Sequence, residues 1–285
     1  MNICKPILSV IMIATVALTA CSSAEKPPAG MESQVYDCLG TADEAIVDLE
    51  CQEVSIGVEN AYLPFNYISS ETGEAGGWDY VVWKEICERL HCQPVFTETA
   101  WEVMIQSVAD GLLDAAGDGI TITPVRQEIV DFSIGYLQVN QRLLVLQGEA
   151  RFGSMEDFVA NEELLMGTQA ETTNYEAAVE FLPESRIKAF EQFPFAVQAL
   201  LTGDVDAVII DEVAGMGYAG ESADKLELIG PAIVSDYLGL IFPKGSDIVE
   251  PVNLALKSMM EDGSLSEINL EYFGPDFTMT YDDIE

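Results

Sequence analysis

The residues best placed to do chemistry fall in two short segments. The first is Gly117-Asp118-Gly119-Ile120-Thr121-Ile122-Thr123-Pro124-Val125-Arg126. Thr123-Pro124 reads as a helix start, an N-cap threonine followed by proline at the first helical position. A hydroxyl, a helix N-terminus and a guanidinium therefore fall close together, a set that holds a carboxylate. The second segment ends at Asp211-Glu212, where a carboxylate could take an ammonium group. Brought face to face, the two segments complement the zwitterion of an α-amino acid. Other roles stay open for both: Arg126 could pair with Glu128 or Asp131, and Asp211 could simply cap a helix.

The elements that must position these segments alternate. Val54, Ile56 and Val58 have the period of a strand. Trp83, Ile86, Cys87 and Leu90 mark one face of a helix over residues 80–91. Further strands are expected at 95–97, 114–117, 143–146, 164–167, 187–190 and 207–210, with helices at 103–109, 173–182 and 196–201 between them and a last amphipathic helix ending at Gly263. Alternation of this kind makes mostly parallel sheets, an α/β architecture. A repeat sharpens it. Ile105-Gln106-Ser107-Val108-Ala109-Asp110-Gly111-Leu112-Leu113-Asp114-Ala115 matches Val197-Gln198-Ala199-Leu200-Leu201-Thr202-Gly203-Asp204-Val205-Asp206-Ala207 at a constant offset of 92 positions. Each copy reads as helix, glycine turn and strand. Each strand leads into one of the two segments above, at the carboxyl end where open α/β sheets bind ligands.

Composition narrows the partners. With 49 acidic and 12 basic residues the formal charge is -37, which repels nucleic acid and anionic lipid headgroups. Residues 1–20 read as an export signal, with Lys5 before an apolar run too short to span a bilayer. The run ends in Leu18-Thr19-Ala20-Cys21, a lipobox, so Cys21 is expected to carry a lipid and residues 21–52 to form a tether and N-terminal extension. Membrane contact is then expected only through that anchor. Export leaves Cys38, Cys51, Cys87 and Cys92, an even number that suggests two disulfides. Three pairings are open; the local one, Cys38 with Cys51 and Cys87 with Cys92, is the expectation. No metal or cofactor is expected: there is no CxxC, the only histidine is His91, and Gly215-Met216-Gly217-Tyr218-Ala219-Gly220 sits inside a helix rather than between strand and helix.

At this point the chain resembles a known family, the family 3 extracellular solute-binding proteins that capture polar amino acids for ABC transporters. The likeness runs from Glu53 to Gly274. It is carried by Ile56-Gly57-Val58, Tyr62-Leu63-Pro64-Phe65, Gly77-Trp78-Asp79, Gly111-Leu112-Leu113-Asp114, Thr121 to Arg126, Val130-Asp131-Phe132-Ser133, Asp206-Ala207 with Asp211, and Tyr272-Phe273-Gly274. The resemblance implies a two-lobe periplasmic-binding-protein-like fold of type II with two hinge crossovers, near Leu143–Leu146 and Tyr237–Leu240. Lobe 1 would comprise 53–143 and 238–274, lobe 2 144–237, and 275–285 an acidic tail. It implies that Arg126 and Thr121 bind the ligand carboxylate, completed by Thr172 or Thr173. Asp211 would bind the ammonium, with the Gly119 carbonyl, and Tyr62 and Trp101 would wall the ligand. Glu59 and Asp79 match positions near the ligand side chain in binders of basic amino acids, and with Asp118 they would make an acidic wall, so a polar or basic amino acid is favoured. Asp118 departs from the small or hydroxyl residue usual at its position.

The expected protein is thus a monomeric, lipid-anchored solute-binding protein in the periplasm or at the outer face of the cell membrane, delivering an amino acid to a transporter permease. Two other readings share the fold. A dehydratase acting on a prephenate- or arogenate-like substrate would need a general acid, for which Glu171 and Glu212 are candidates. A sensor protein would differ only in its partner.

Overall fold

The computed structural model describes residues 33–219, 225–274 and 277. The expected signal, Cys21 and, apart from Phe277, the acidic tail lie outside them. In chain order the first strands are β1 (Ser33–Val35), β2 (Gln52–Val58), β3 (Ala61–Tyr62), β4 (Asn66–Ile68) and β5 (Ala75–Gly76). Then come α1 (Trp78–Leu90), β6 (Cys92–Glu98), α2 (Trp101–Ala109), β7 (Ala115–Ala116), α3 (Pro124–Ile129), β8 (Val130–Phe132) and β9 (Leu137–Leu146). They are followed by α4 (Met155–Ala160), β10 (Met166–Gln169), α5 (Thr173–Phe181), β11 (Ile187–Phe190), α6 (Phe193–Thr202), β12 (Ala207–Asp211) and α7 (Glu212–Ala219). The chain closes with β13 (Leu226–Ile229), β14 (Ser235–Leu238), β15 (Ile241–Pro243), α8 (Val249–Asp262) and α9 (Ser264–Phe273).

These strands form two principal sheets. One has the order β1-β6-β2-β7-β15-β8, the other β11-β10-β12-β9-β13, with β14 also on β9. Strands β6, β2 and β7 run parallel, as do β11, β10 and β12, so each sheet has a parallel heart built from strand-helix-strand units. The repeat in the sequence is α2 with β7 in the first sheet and α6 with β12 in the second. A small third sheet, β3-β4-β5, projects Tyr62 towards the space between the other two.

Local chemistry explains the joints. Helix α3 begins as the sequence requires: Thr123 Oγ1 accepts the Arg126 backbone N–H at 3.2 Å, and Pro124 occupies the first turn. Thr172 does the same for α5, accepting from Tyr175 N–H at 3.1 Å. Before α1, Gly77 adopts φ 121°, and a side chain there would meet the Phe65 carbonyl at 2.4 Å. Among the described cysteines, Cys38 is bonded to Cys51, and Cys87 to Cys92. The second bond ties the last turn of α1 to the start of β6. His91, between them, caps α1 in a left-handed conformation and bonds Asp48 through Nδ1 at 2.8 Å.

Two expectations are corrected here. The first crossing between sheets comes earlier than residues 143–146. Strand β9 lies wholly in the second sheet, pairing Gln141 with Asp211 and Leu144 with Val208, so the chain crosses between Phe132 and Leu137. The first half of β9 alternates polar Gln138, Asn140 and Arg142 with inward residues, and only the enclosed half, Leu143 to Val145, reads as an apolar run. The return crossing lies between Leu238 of β14 and Ile241 of β15. The N-terminal extension is also less irregular than expected: Ser33, Gln34 and Val35 pair antiparallel with Thr97, Phe96 and Val95 as an edge strand of the first sheet.

Candidate functional site

Strand ends and helix starts from both sheets meet around one cavity. From the first sheet come Glu59 just past β2, Asp118, Gly119 and Thr121 past β7, Trp101 opening α2, and Arg126 on α3, with Tyr62 on β3. From the second come Gln169 ending β10, Thr172, Thr173 and Asn174 opening α5, Phe193 opening α6, and Asp211 ending β12. The carboxyl ends of parallel strands from both sheets thus face one space, as the topology demands.

Arg126 is the only cation lining the cavity among the described residues. Its Nη1 donates to the Thr121 carbonyl at 3.0 Å, and its guanidinium carbon sits 5.2 Å from the centre of the Trp101 ring. No other side-chain hydrogen bond engages it among the described residues. Burial lowers its pKa, opposed by the nearby charges of Glu176 and Asp211. Beside it the hydroxyls of Thr121 and Thr173 are 3.2 Å apart, and Gln141 Nε2 donates to Thr173 Oγ1 at 3.1 Å. This end offers guanidinium N–H groups, two hydroxyls and the unpaired N–H groups at the start of α5, all carboxylate donors.

Asp211 supplies the opposite charge. Its Oδ2 accepts the Tyr62 hydroxyl at 2.9 Å, and Asn174 Nδ2 approaches Oδ1 at 3.4 Å. Burial pushes the Asp211 carboxyl up to about 6, against the lowering effect of Tyr62, Asn174 and Arg126. Tyr62 is stacked between Phe65 and Phe193, with ring centres 5.2 and 5.1 Å away. Its packing also explains Gly119, which has φ +58° and would carry a Cβ only 2.7 Å from the Tyr62 ring. Tyr62 and Tyr218 reach across the cleft, Tyr218 donating to the Ala61 carbonyl at 2.9 Å.

A second acidic group stands further along the wall. Glu59 Oε1 accepts from Gln169 Nε2 at 2.9 Å, and Asp118 Oδ1 from Asn66 Nδ2 at 2.6 Å. Burial raises both carboxyls, and the proximity of Asp118 raises Glu59 further. Asp79 does not join them in the cavity. It sits in the first turn of α1, behind the wall, turned towards Asn66, whose Nδ2 donates to its Oδ2 at 2.9 Å. The expectation that Asp79 touches ligand is therefore corrected. The remaining expected site residues, Arg126, Thr121, Asp211, Thr172, Thr173, Tyr62, Trp101, Gly119, Glu59 and Asp118, line one cavity.

Gln169, Asn174 and Phe193 also line it and were not foreseen. Phe193 had a readable signal: it lies 92 positions after Trp101, the offset of the repeat, so the aromatic that opens α2 recurs where α6 begins. Gln169 and Asn174 carry no motif and are found only by their place at a strand end and a helix start. The dehydratase candidates do not reach the cavity: Glu171 is exposed, and Glu212 is paired with Arg142 at 2.6 Å. Among the described residues, the one group with metal-ligand chemistry is Cys38, Cys51 and His91, and its two sulfurs are joined to each other.

Comparison with known proteins agrees with this geometry. The family described as bacterial extracellular solute-binding proteins, family 3, matches residues 54–275. The chain belongs to this family. As a family 3 solute-binding protein it is 25% identical over 244 residues to the L-cystine-binding protein TcyJ of Escherichia coli (strain K12), a match covering 83% of this chain and 89% of TcyJ. It shares 31% identity and a TM-score of 0.71 with the structure of the arginine-, lysine-, histidine-binding protein ArtJ from the thermophilic bacterium Geobacillus stearothermophilus, over 78% of this chain and 95% of that one. Another neighbour is the ancestral amino acid-binding protein AncCDT-1, described as a precursor of cyclohexadienyl dehydratase, with 30% identity, a TM-score of 0.72 and the same coverages. These type II binding-protein structures share the two-sheet α/β fold described above.

Proposed function

We propose that this solute-binding protein captures an α-amino acid in the cavity between its two sheets and presents it to the permease of an ABC transporter. The observation that carries the reading is the pairing of opposite charges in one space: Arg126, with donors unspent, and Asp211, both lining the same pocket. In this reading Arg126, Thr121 and Thr173 hold the ligand carboxylate, Asp211 its ammonium, and Tyr62, Trp101 and Phe193 its hydrocarbon. The relatives named for cystine and for arginine, lysine and histidine support the ligand class.

The two sheets with their helices act as lobes, hinged at residues 133–136 and 239–240. Ligand shifts the population towards the closed form, held by cross-sheet bonds such as that of Tyr62 with Asp211. The lipobox Leu18-Thr19-Ala20-Cys21 supports anchoring by a lipid on Cys21 at the outer face of the cell membrane. A thermal-shift screen of the common amino acids tests the reading. A ligand present at about 100 times its Kd adds about 2.7 kcal/mol of apparent stability. If no amino acid raises the melting temperature, and calorimetry finds no binding, the assignment fails.

A further inference from the structure

A buried glutamine stands just outside the Arg126 end of the cavity. Gln141 is 3% exposed and lies on β9, paired in register with Asp211. It is not among the residues that line the cavity, but it touches one that is. Its backbone N–H donates to the Val234 carbonyl, and its own carbonyl accepts from the Ile233 N–H, both at 2.8 Å. The main chain is thus anchored on its own account. The side chain makes a single hydrogen bond among the described residues: Nε2 donates to Thr173 Oγ1 at 3.1 Å. Oε1 is buried and bonds nothing among them. The hydrogen-bonding capacity of this side chain therefore goes to Thr173 alone.

What Thr173 does with that bond follows from the chemistry of a hydroxyl, which has one hydrogen to give and two lone pairs to fill. Gln141 fills one lone pair. Thr173 Oγ1 is also 3.2 Å from Thr121 Oγ1, a contact whose geometry leaves either oxygen as donor. The surroundings decide. Thr173 already receives a hydrogen, while Thr121 Oγ1 receives none from any other group among the described residues. A hydroxyl that accepts a bond gives its own hydrogen more strongly, because hydrogen bonds in a chain polarise one another. Thr173 is then the donor and Thr121 the acceptor. The Thr121 hydrogen is left for the cavity, beside Arg126, whose Nη1 holds the Thr121 carbonyl at 3.0 Å.

On the reading of the cavity as an amino-acid site, we infer that Gln141 is a positioning residue: it sets a one-way chain of donors, Gln141 to Thr173 to Thr121, that ends on the ligand carboxylate. A carboxylate accepts and never donates, so the chain serves it only when every hydrogen points the same way. An amide N–H at the far end cannot take a hydrogen back, and this fixes the direction. The chain also crosses the cleft. Gln141 and Thr173 belong to the second sheet and its helix α5, Thr121 to the segment after β7 of the first. The hydroxyl that meets the carboxylate is therefore aligned only while the two sheets are together.

A double-mutant cycle on the full chain tests this, by calorimetry with whichever of the common amino acids binds the unmodified protein. Gln141→Met keeps the length and the packing but has no N–H to give. It is expected to weaken binding by about fivefold, and Thr173→Val by about tenfold or more. Because Gln141 acts only through Thr173, the double variant should bind within about twofold of Thr173→Val alone. Losses that multiply, or a Gln141→Met protein that melts earlier but binds unchanged, overturn the inference and leave the amino-acid reading standing. Failure of every amino acid to bind the unmodified chain overturns both. Should Gln141→Met fail to fold, NMR of the unmodified chain decides. Overhauser contacts between the side-chain amide hydrogens of Gln141 and Thr173 are expected, and amide hydrogens turned away from Thr173 overturn the inference.

Discussion

Arg186 and Arg126 are buried to the same degree, 9% and 8% exposed, yet spend their hydrogens differently. Arg186 donates to the carbonyls of Leu164, Val159, Phe158 and Asn161 at 2.8–3.0 Å, closing the end of α4 onto the strand beside it. Each guanidinium nitrogen is used, and the positive charge lies where a helix leaves its carbonyls unpaired. Arg126 donates one such bond, to Thr121, and turns its remaining donors into a cavity. Both guanidinia are desolvated. What separates a structural arginine from a binding one is whether its hydrogen bonds are complete without a ligand.

The sharpest way to break this comparison is to remove each arginine in turn. Arg126→Ala is expected to weaken ligand binding by about 3–5 kcal/mol, since the buried ligand carboxylate loses its partner, with little change in melting temperature. Calorimetry and thermal melts on the same samples read both. Arg186→Ala should do the reverse: about 3 kcal/mol of folding stability lost in chemical denaturation, because four carbonyls lose a charged donor, with affinity unchanged in the folded fraction. If the two variants behave alike, the distinction drawn from their hydrogen bonds is void.

The acids give a milder test, with opposite signs inside and outside. Asp211 has its folded pKa raised to about 6, so the folded state binds its proton more tightly than the unfolded chain does. The stability it withholds at neutral pH is regained as pH falls through about 6 towards 4, by about 1 kcal/mol from this group at pH 5. Asp262, on the surface, runs the other way. Arg89 and Ser264 lower it to about 2, so its contribution is present above the ordinary carboxylate range and is lost as pH falls through 2. Melting curves of the ligand-free protein should rise between neutral pH and pH 5, and Asp211→Asn should flatten that rise. A smaller effect is expected from Tyr62→Phe. It keeps the stacking on Phe65 and Phe193 but loses the bond to Asp211. Affinity should fall by about 1 kcal/mol, roughly fivefold, measured by calorimetry. An unchanged affinity would mean that the bond does not hold the lobes together.

The sequence showed most clearly what is written in local chemistry. Thr123-Pro124 started α3 as its capping chemistry required, and the helix-glycine-strand repeat became two equivalent units in two sheets. Misreadings came where tertiary partners decide. The first half of β9 carries polar residues, and the buried one, Gln141, is covered by a neighbour that the sequence does not reveal, Thr173. The resemblance puts Asp79 near the ligand side chain, but its own side chain is taken by Asn66. Asn174 and Gln169 have no signature beyond position, and their importance appears only when donors and acceptors are matched atom by atom.

The short pairing of Ser33–Val35 with β6 has a mechanical consequence. Any pull applied from the N-terminal side enters through β1 and the loop stapled by Cys38 and Cys51, and reaches the first sheet first. The second sheet receives it only through the two crossings and the bonds between the sheets, such as Tyr62 to Asp211 and Tyr218 to Ala61. A leash fastened upstream would therefore tug one jaw directly and the other only where the two touch.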